Sequence, residues 1–357
     1  MKVATARIDS AALRHNLARV RQLAPHSRVM AVLKANGYGH DQVAVAQYLD
    51  GADALAVARL EEALALRGAG IDQPIVMLEG CFEVADLPVM AREGIEAVLH
   101  TQEQLAMLKA AELPAPLKVW VKVDTGMHRI GIAPGELDAF HGELAAMDKV
   151  QKPIGLLSHY ACADEPEHPL NAVQQGVFAP LAEGWAGPVS MANSAAILSF
   201  PQSHYDWVRP GLILYGASPM VGQLRGDHGL KPAMHLMSSL IAVKPIKAGD
   251  SVGYGAAWRA ERDTSIGVVA IGYGDGYPRH ARMGTPVWLN GRQVPLVGRV
   301  SMDMLTVDLG PGALDRVGDD VELWGPKVPV ETVAQCSDTI SYELLCNMAR
   351  RVRYEFF

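Results

Sequence analysis

Cysteine is scarce: four residues in 357, at positions 81, 162, 336 and 346, with no CxxC pair. No histidine stands at metal-ligand spacing from them, so a zinc site is excluded and no bound metal is expected. Buried free thiols in a reducing compartment are the expectation. Basic blocks are missing too, and the net charge is −7, which argues against a nucleic-acid partner. No run reaches the roughly 18 apolar residues of a membrane span. The N-terminal MKVATARIDSAAL has no apolar stretch of signal-peptide length, so a cytoplasmic protein is expected. Repeats of fixed period and low-complexity tracts are absent as well.

What remains is an ordinary globular balance, with 49% AVILMFWYC and 20% charged residues, in a chain long enough for two domains. Eight apolar, β-branched runs occupy the first two-thirds. They are Arg28–Leu33, Ala54–Ala58, Pro74–Leu78, Ala97–His100, Leu117–Val123, Ile154–Ser158, Val189–Ala192 and Trp207–Val208. Amphipathic stretches such as Gln42–Leu49, Leu60–Arg67 and Gln102–Glu112 lie between them, the last opening on a Thr101/Gln104 capping-box signature. Alternating strands and helices predict a parallel sheet, and eight units in this length predict a (β/α)8 TIM-type barrel. An open doubly wound sheet is disfavoured because no GxGxxG opens a helix after a strand.

After Tyr215 the texture changes. Residues 217–232 read as a linker, and strand-like runs follow at Met237–Val243, Thr264–Ile271, Pro286–Leu289, Val294–Val300, Leu305–Leu309 and Val321–Leu323. Asn290-Gly291 marks a two-residue hairpin, and Tyr342–Arg350 reads as helix. The fold class is therefore α/β plus β: a barrel over 1–228, with residues 1–8 able to pair with the C-terminal domain, then a mostly β domain over 229–357.

Barrel enzymes gather their chemistry at the carboxyl ends of the strands. Those ends read Lys34-Ala35-Asn36-Gly37-Tyr38, Lys122 through Arg129, Ser158-His159, Asn193-Ser194 and Arg209-Pro210-Gly211. Singly, each has a structural explanation: a solvated charge, a satisfied core histidine, a helix cap, a turn. Together, two lysines and two arginines at one mouth of an acidic protein call for an anion. Backbone N–H groups at Gly211 and Leu212, with hydroxyls from Ser194 and Tyr38, suit a phosphate. A lysine at the same mouth can react with an aldehyde cofactor.

At these residues the sequence resembles the alanine racemase family, over essentially its whole length. AVLKANGYGH (31–40) is similar to the family's cofactor-lysine signature, with Gly37 in place of the usual alanine. VKVDTGMHRIG (121–131), LLSH (156–159), NSAA (193–196) and DWVRPGLILYGASP (206–219) follow in order. VGYGA (252–256), IGYGDGYPRH (271–280), GRVSMDM (298–304) and SYELLC (341–346) complete the set, with Gly274 where alanine is commoner.

The resemblance implies pyridoxal 5′-phosphate (PLP) as cofactor, alanine as substrate, and a homodimer whose two active sites each use both chains. It implies that Lys34 carries the cofactor and serves as one base, and that Tyr254 from the partner is the opposite base. His159 and Arg209 match a relay that makes a phenolate accessible, and Arg209 faces the ring nitrogen. Guanidinium donates a hydrogen bond but no proton, so the ring should be a restrained electron sink. Tyr38, Ser194, Gly211, Leu212 and Tyr342 match phosphate contacts. Arg129 matches a group near the cofactor's phenolic oxygen and the substrate carboxylate, and Met302 and Asp303 match substrate-side contacts. Lys122 matches a lysine that is carbamylated in many members, and Tyr273, Arg279 and Arg299 line the substrate entrance. D-Alanine for peptidoglycan, or alanine catabolism, is the implied role. The competing readings are a racemase that also takes serine, and a non-catalytic PLP-binding protein built from the barrel alone.

Overall fold

The computed structural model describes residues 3–357, which divide into two compact units. One comprises Arg14–Leu214 with Pro219–Gln223. The other comprises the N-terminal segment through Leu13, Tyr215–Ser218 and Leu224–Phe357. The first strand, β1 (Thr5–Ile8), belongs to the second of these.

In the first unit eight parallel strands close on themselves: β2 (Arg28–Val32), β3 (Ala54–Val57), β4 (Ile75–Met77), β5 (Ile95–Leu99), β6 (Leu117–Lys122), β7 (Val150–Leu157), β8 (Val189–Ser190) and β9 (Trp207–Val208). β9 returns to β2 through Arg28↔Trp207 and Val29↔Val208. Strands covered on both faces need apolar side chains in both directions, and β3, β4 and β5 are buried at every position. The eight runs legible in the sequence are these eight strands, although β8 stops at Ser190 rather than Ala192.

The barrel's interior is floored by aromatics. Trp120 on β6 meets Trp207 edge-on at 6.3 Å, and its Nε1 donates to the buried Glu96 carboxylate at 2.7 Å, which also accepts from Lys118 Nζ at 2.7 Å. Gly155 lies against the Trp120 ring, where a Cβ would overlap it. Side chains fill the barrel, and a separate set of polar groups gathers at the carboxyl ends of its strands.

In the second unit, β10 (Met234–Ile246) is the organising strand. It is followed by β11 (Ser251–Val252), β12 (Trp258–Arg259), β13 (Thr264–Val269), β14 (Pro286–Leu289), β15 (Arg292–Val297), β16 (Leu305–Gly310), β17 (Asp320–Trp324) and β18 (Arg353–Phe356). The first half of β10 pairs antiparallel with β1 and β17, and its second half with β13. The order β10-β13-β16-β15-β14-β17 thereby closes a ring, with β1 and β18 outside it. Asn290 and Gly291 both take positive φ (45° and 84°) and join β14 to β15, as their hairpin signature requires.

Four expectations need correction. Thr101 Oγ1 does accept from Gln104 N, but the Gln104 side chain does not reach back to Thr101; it accepts from His100 N and donates to Glu79 O and Cys81 O. That helix ends at Ala110 rather than Glu112. The helix predicted over Tyr342–Arg350 runs only Ser341–Cys346, and β18 follows it. Residues in the expected linker are pinned: Ser218 N and Arg225 N both donate to Glu331 Oε1 at 2.9 Å.

Candidate active site

The barrel mouth is built from strand ends. Lys34 follows β2 and enters a left-handed turn, with φ of 54°, 55°, 62° and 50° at Ala35, Asn36, Gly37 and Tyr38. For non-glycine residues this backbone costs about 1–2 kcal/mol each, so it persists only where its surroundings hold it. Here Glu62 Oε1 accepts from Ala35 N at 2.7 Å, while Glu62 Oε2 accepts from Ala58 N and Arg59 N. Asn36 Oδ1 accepts from Gln42 N, and His40 Nδ1 donates to Tyr38 O at 2.8 Å. At Gly37 an added Cβ would stand 3.1 Å from Gln42 Cα, so glycine relieves both torsion and crowding.

The turn delivers Tyr38 to Gly211, whose Cα lies so close to the phenol that a Cβ there would overlap the hydroxyl. Ser194 Oγ accepts from Gly211 N at 2.8 Å. Asn193 caps the helix Ser194–Ser199 through its bond from Ala196 N. A phenol, a hydroxyl and the Gly211–Leu212 backbone thus converge, a donor set that suits a phosphate.

Arg209, past β9, crosses the mouth and is 5% exposed. Its Nη1 donates to Ser190 Oγ at 2.6 Å, and its Nη2 to Ser158 O at 2.5 Å and His159 Nδ1 at 3.2 Å. Burial pushes its pKa down to about 10, still charged at neutrality. His159 is held well below its ordinary pKa by desolvation, then by Arg209, Lys122, Arg129 and Lys34. Because guanidinium only donates, Nδ1 must accept, which places the imidazole proton on Nε2. Lys122, the last residue of β6 and 8% exposed, is lowered to about 7 by burial, Arg209, Arg129 and Lys34. Arg129 is exposed on the loop after β6. Four cations and a neutral imidazole therefore share one mouth, the environment of an anionic ligand.

The remaining expected residues lie in the second unit. Tyr254 opens a tight turn between β11 and β12 and is 67% exposed. The Arg299 guanidinium covers that turn, with Nη1 3.2 Å from where a Gly255 Cβ would stand. Met302, 53% exposed, and Asp303 sit on the segment before β16. Tyr273 and Arg279 line a cavity of about 250 Å³ with Tyr277, Glu343 and Asn347, and Tyr342 lies in the first turn of the neighbouring helix. Among the described residues, no group of three or more His, Cys, Asp or Glu is arranged to hold a metal, and no helix is long and apolar enough to cross a membrane.

Sequence reading placed Ser158 at a strand end without a role, and it missed Ser190, which with Ser158 aims Arg209, and Glu62, which holds the turn after Lys34. A serine inside a strand carries no signal of its own. Glu62 does carry one: it stands at the third position of a helix that begins at Leu60, where a side chain can reach back to backbone N–H groups.

Residues 8–219 match the family model described as alanine racemase, N-terminal domain, and residues 233–356 match alanine racemase, C-terminal domain. A curated alanine racemase of Yersinia pestis is 54% identical over 356 residues, covering 100% of this chain and 99% of that protein. One of Shewanella piezotolerans is 56% identical over 347 residues, covering 97% of each. Among solved structures, the biosynthetic alanine racemase from Pseudomonas aeruginosa superposes with a TM-score of 0.96 at 45% identity, covering 100% of both chains. The alanine racemase from Acinetobacter baumannii gives 0.93 at 39%, again covering 100% of both. The match of both domains sets aside a PLP-binding barrel standing alone. With both domain models matched and full-length relatives more than half identical, the chain belongs to the alanine racemase family, a family of amino-acid racemases.

Proposed function

We propose that the protein interconverts L-alanine and D-alanine as a homodimer, with PLP held at the barrel mouth and one base contributed by each subunit. The residues fit that cofactor. Tyr38, Ser194, Gly211 and Leu212 form the phosphate cradle, with Tyr342 as a further phosphate contact. Lys34 Nζ provides the covalent attachment, and Arg209 the hydrogen bond to the ring nitrogen. When bound, PLP supplies an electron sink that acidifies the α-C–H of an attached amino acid.

The protein's own groups then move the proton. Lys34 Nζ takes it from Cα of D-alanine on one face, and Tyr254 of the partner subunit takes it from L-alanine on the other. Two bases on opposite faces are needed, since a single base would return the proton to the side it came from. A phenol has an ordinary pKa of about 10, so its anion needs support near neutrality. His159 is suited to this: its Nε2–H is a donor, while Arg209 occupies Nδ1 and holds the ring neutral. Arg129 and Met302 orient the substrate carboxylate, with Asp303 beside them, and Tyr273, Arg279 and Arg299 narrow the approach.

The pairing of buried Arg209 with half-buried His159 carries this reading. A guanidinium without solvent access is costly and is kept here against a neutral imidazole rather than a carboxylate, an arrangement with chemical rather than structural value. The test is the absorbance of purified protein, together with D-alanine formation from L-alanine by wild type and Tyr254→Phe. A cofactor band fixed by borohydride, with turnover that falls by about a thousandfold or more in Tyr254→Phe, is expected. Undiminished turnover in Tyr254→Phe would remove the two-base mechanism, and a band without turnover would leave only cofactor binding.

A further inference from the structure

Arg351 is unaccounted for by any role assigned so far. It is half-exposed, yet all three guanidinium nitrogens are engaged within the β domain. Nε pairs with Asp275 Oδ1 at 2.7 Å, Nη1 with Asp303 Oδ1 at 2.8 Å, and Nη2 donates to Met302 O at 3.3 Å. Asp275 is buried and accepts from Gly272 N through its other oxygen at 2.9 Å. The two segments so joined also touch directly. Tyr273 N donates to Ser301 O at 3.0 Å, and Gly274 N to Met302 O at 2.8 Å.

The glycines of IGYGDGYPRH make this approach possible. A Cβ at Gly272 would strike Ser301 O and Met302 O, and one at Gly274 would stand 2.6 Å from Arg351 Nη2. Glycine at 274 is therefore where the guanidinium lies flat across the loop. Arg351 itself follows the helix Ser341–Cys346, which carries Tyr342 near its start. One side chain thus ties together the segments bearing Tyr273, Met302 with Asp303, and Tyr342.

We infer that Arg351 is a positioning residue that fixes Met302 and Asp303 relative to Tyr273, and so sets how strictly the site separates alanine from serine. The inference rests on the placement of these residues around the substrate proposed above. The Arg351–Asp303 pair is exposed on both sides and adds little stability, so what it contributes is geometry. A planar guanidinium whose three nitrogens engage two carboxylates and a carbonyl holds direction as well as distance. An added hydroxyl is disfavoured where pocket walls are held close and leave it without a hydrogen-bond partner, and a wall that can recede admits the larger substrate.

The experiment compares wild type, Arg351→Ala and Arg351→Lys as PLP-loaded dimers, measuring melting temperature, cofactor absorbance, and kcat and KM for L-alanine and L-serine. In Arg351→Ala we expect unchanged absorbance and kcat, an alanine KM raised about tenfold, and an alanine-to-serine kcat/KM ratio lowered by about the same factor. Arg351→Lys, which keeps the charge but not the fork, should recover most of the KM and less of the ratio. Unchanged KM and ratio in Arg351→Ala would overturn the clamp, as would a joint fall of kcat, KM-derived affinity and melting temperature that lysine fails to reverse. Wild-type racemisation of L-alanine separates the cases: its absence would overturn the racemase reading and the clamp with it, whereas wild-type turnover with an indifferent Arg351→Ala would overturn the clamp alone.

Discussion

Lys122 shows what a barrel mouth crowded with cations does to one residue. Burial and three neighbouring positive charges lower its pKa to about 7, so near neutrality about half of the amine is neutral and nucleophilic. In the unfolded chain the same lysine titrates near its ordinary value, about 10.4. Below pH 7 both states are protonated and the fold bears the full burial penalty. Above it the unfolded state holds more protons, so this residue's contribution to stability rises with pH until the unfolded lysine also titrates. A neutral amine can attack carbon dioxide, forming an N–C bond and releasing a proton, and the resulting carbamate would be an anion among Arg129, Arg209 and Lys34. Protein equilibrated with ¹³C-labelled bicarbonate should therefore show a carbamate carbon resonance that grows as pH is raised through 7 and is missing from Lys122→Gln. A wild-type spectrum without that resonance at any pH would leave Lys122 a plain amine.

At the scale of the element, the turn after Lys34 is held from outside itself. Three non-glycine residues in left-handed backbone are opposed by one carboxylate, Glu62, which gathers N–H groups from two successive loops. Hydrogen bonds to a charged acceptor contribute about 1.5–3 kcal/mol each, enough to offset the torsional cost. Glu62→Ala should lower the denaturant midpoint and weaken PLP binding to apoprotein by about tenfold or more, while Glu61→Ala, one position away and exposed, should change neither. Undiminished PLP affinity in Glu62→Ala would mean the turn is stable without its anchor. The same contrast explains what could be read in the sequence. Strands of the barrel were legible because burial on both faces demands unbroken apolar runs, and the hairpin because Asn290-Gly291 tolerates positive φ. The pairing of the first residues with the C-terminal domain was anticipated, but the strand Arg353–Phe356 was not: it is four residues long and its partner, Thr5–Ile8, lies at the other end of the sequence. Within the site, cations at strand ends announced an anion, but Ser158 and Ser190, which accept from Arg209 through a carbonyl and a hydroxyl, leave no pattern in sequence, whereas Glu62 sits at a readable position of its helix.

At the scale of the whole molecule, several large side chains of the β domain lie exposed. Tyr254, Tyr273, Met283, Met302 and Met304 are all large, apolar or aromatic, and between 39% and 67% exposed. Leaving such side chains in water forfeits the stabilisation that burial brings, and three of them carry proposed roles at a substrate site. The proposed homodimer with shared sites would account for both facts, since association would bury these residues and deliver a phenol to another chain's lysine. The arrangement is testable by subunit mixing. Lys34→Ala and Tyr254→Phe homodimers should each be inactive. If Lys34 of one chain works with Tyr254 of the other, a heterodimer of the two variants has one site carrying both substitutions and one site carrying neither. Random reassortment makes half the dimers mixed and half their sites intact, so the mixture should recover about a quarter of wild-type activity, developing at the rate of subunit exchange. If each chain instead pairs its own Lys34 with its own Tyr254, every site in every dimer holds one substitution, and mixing restores nothing.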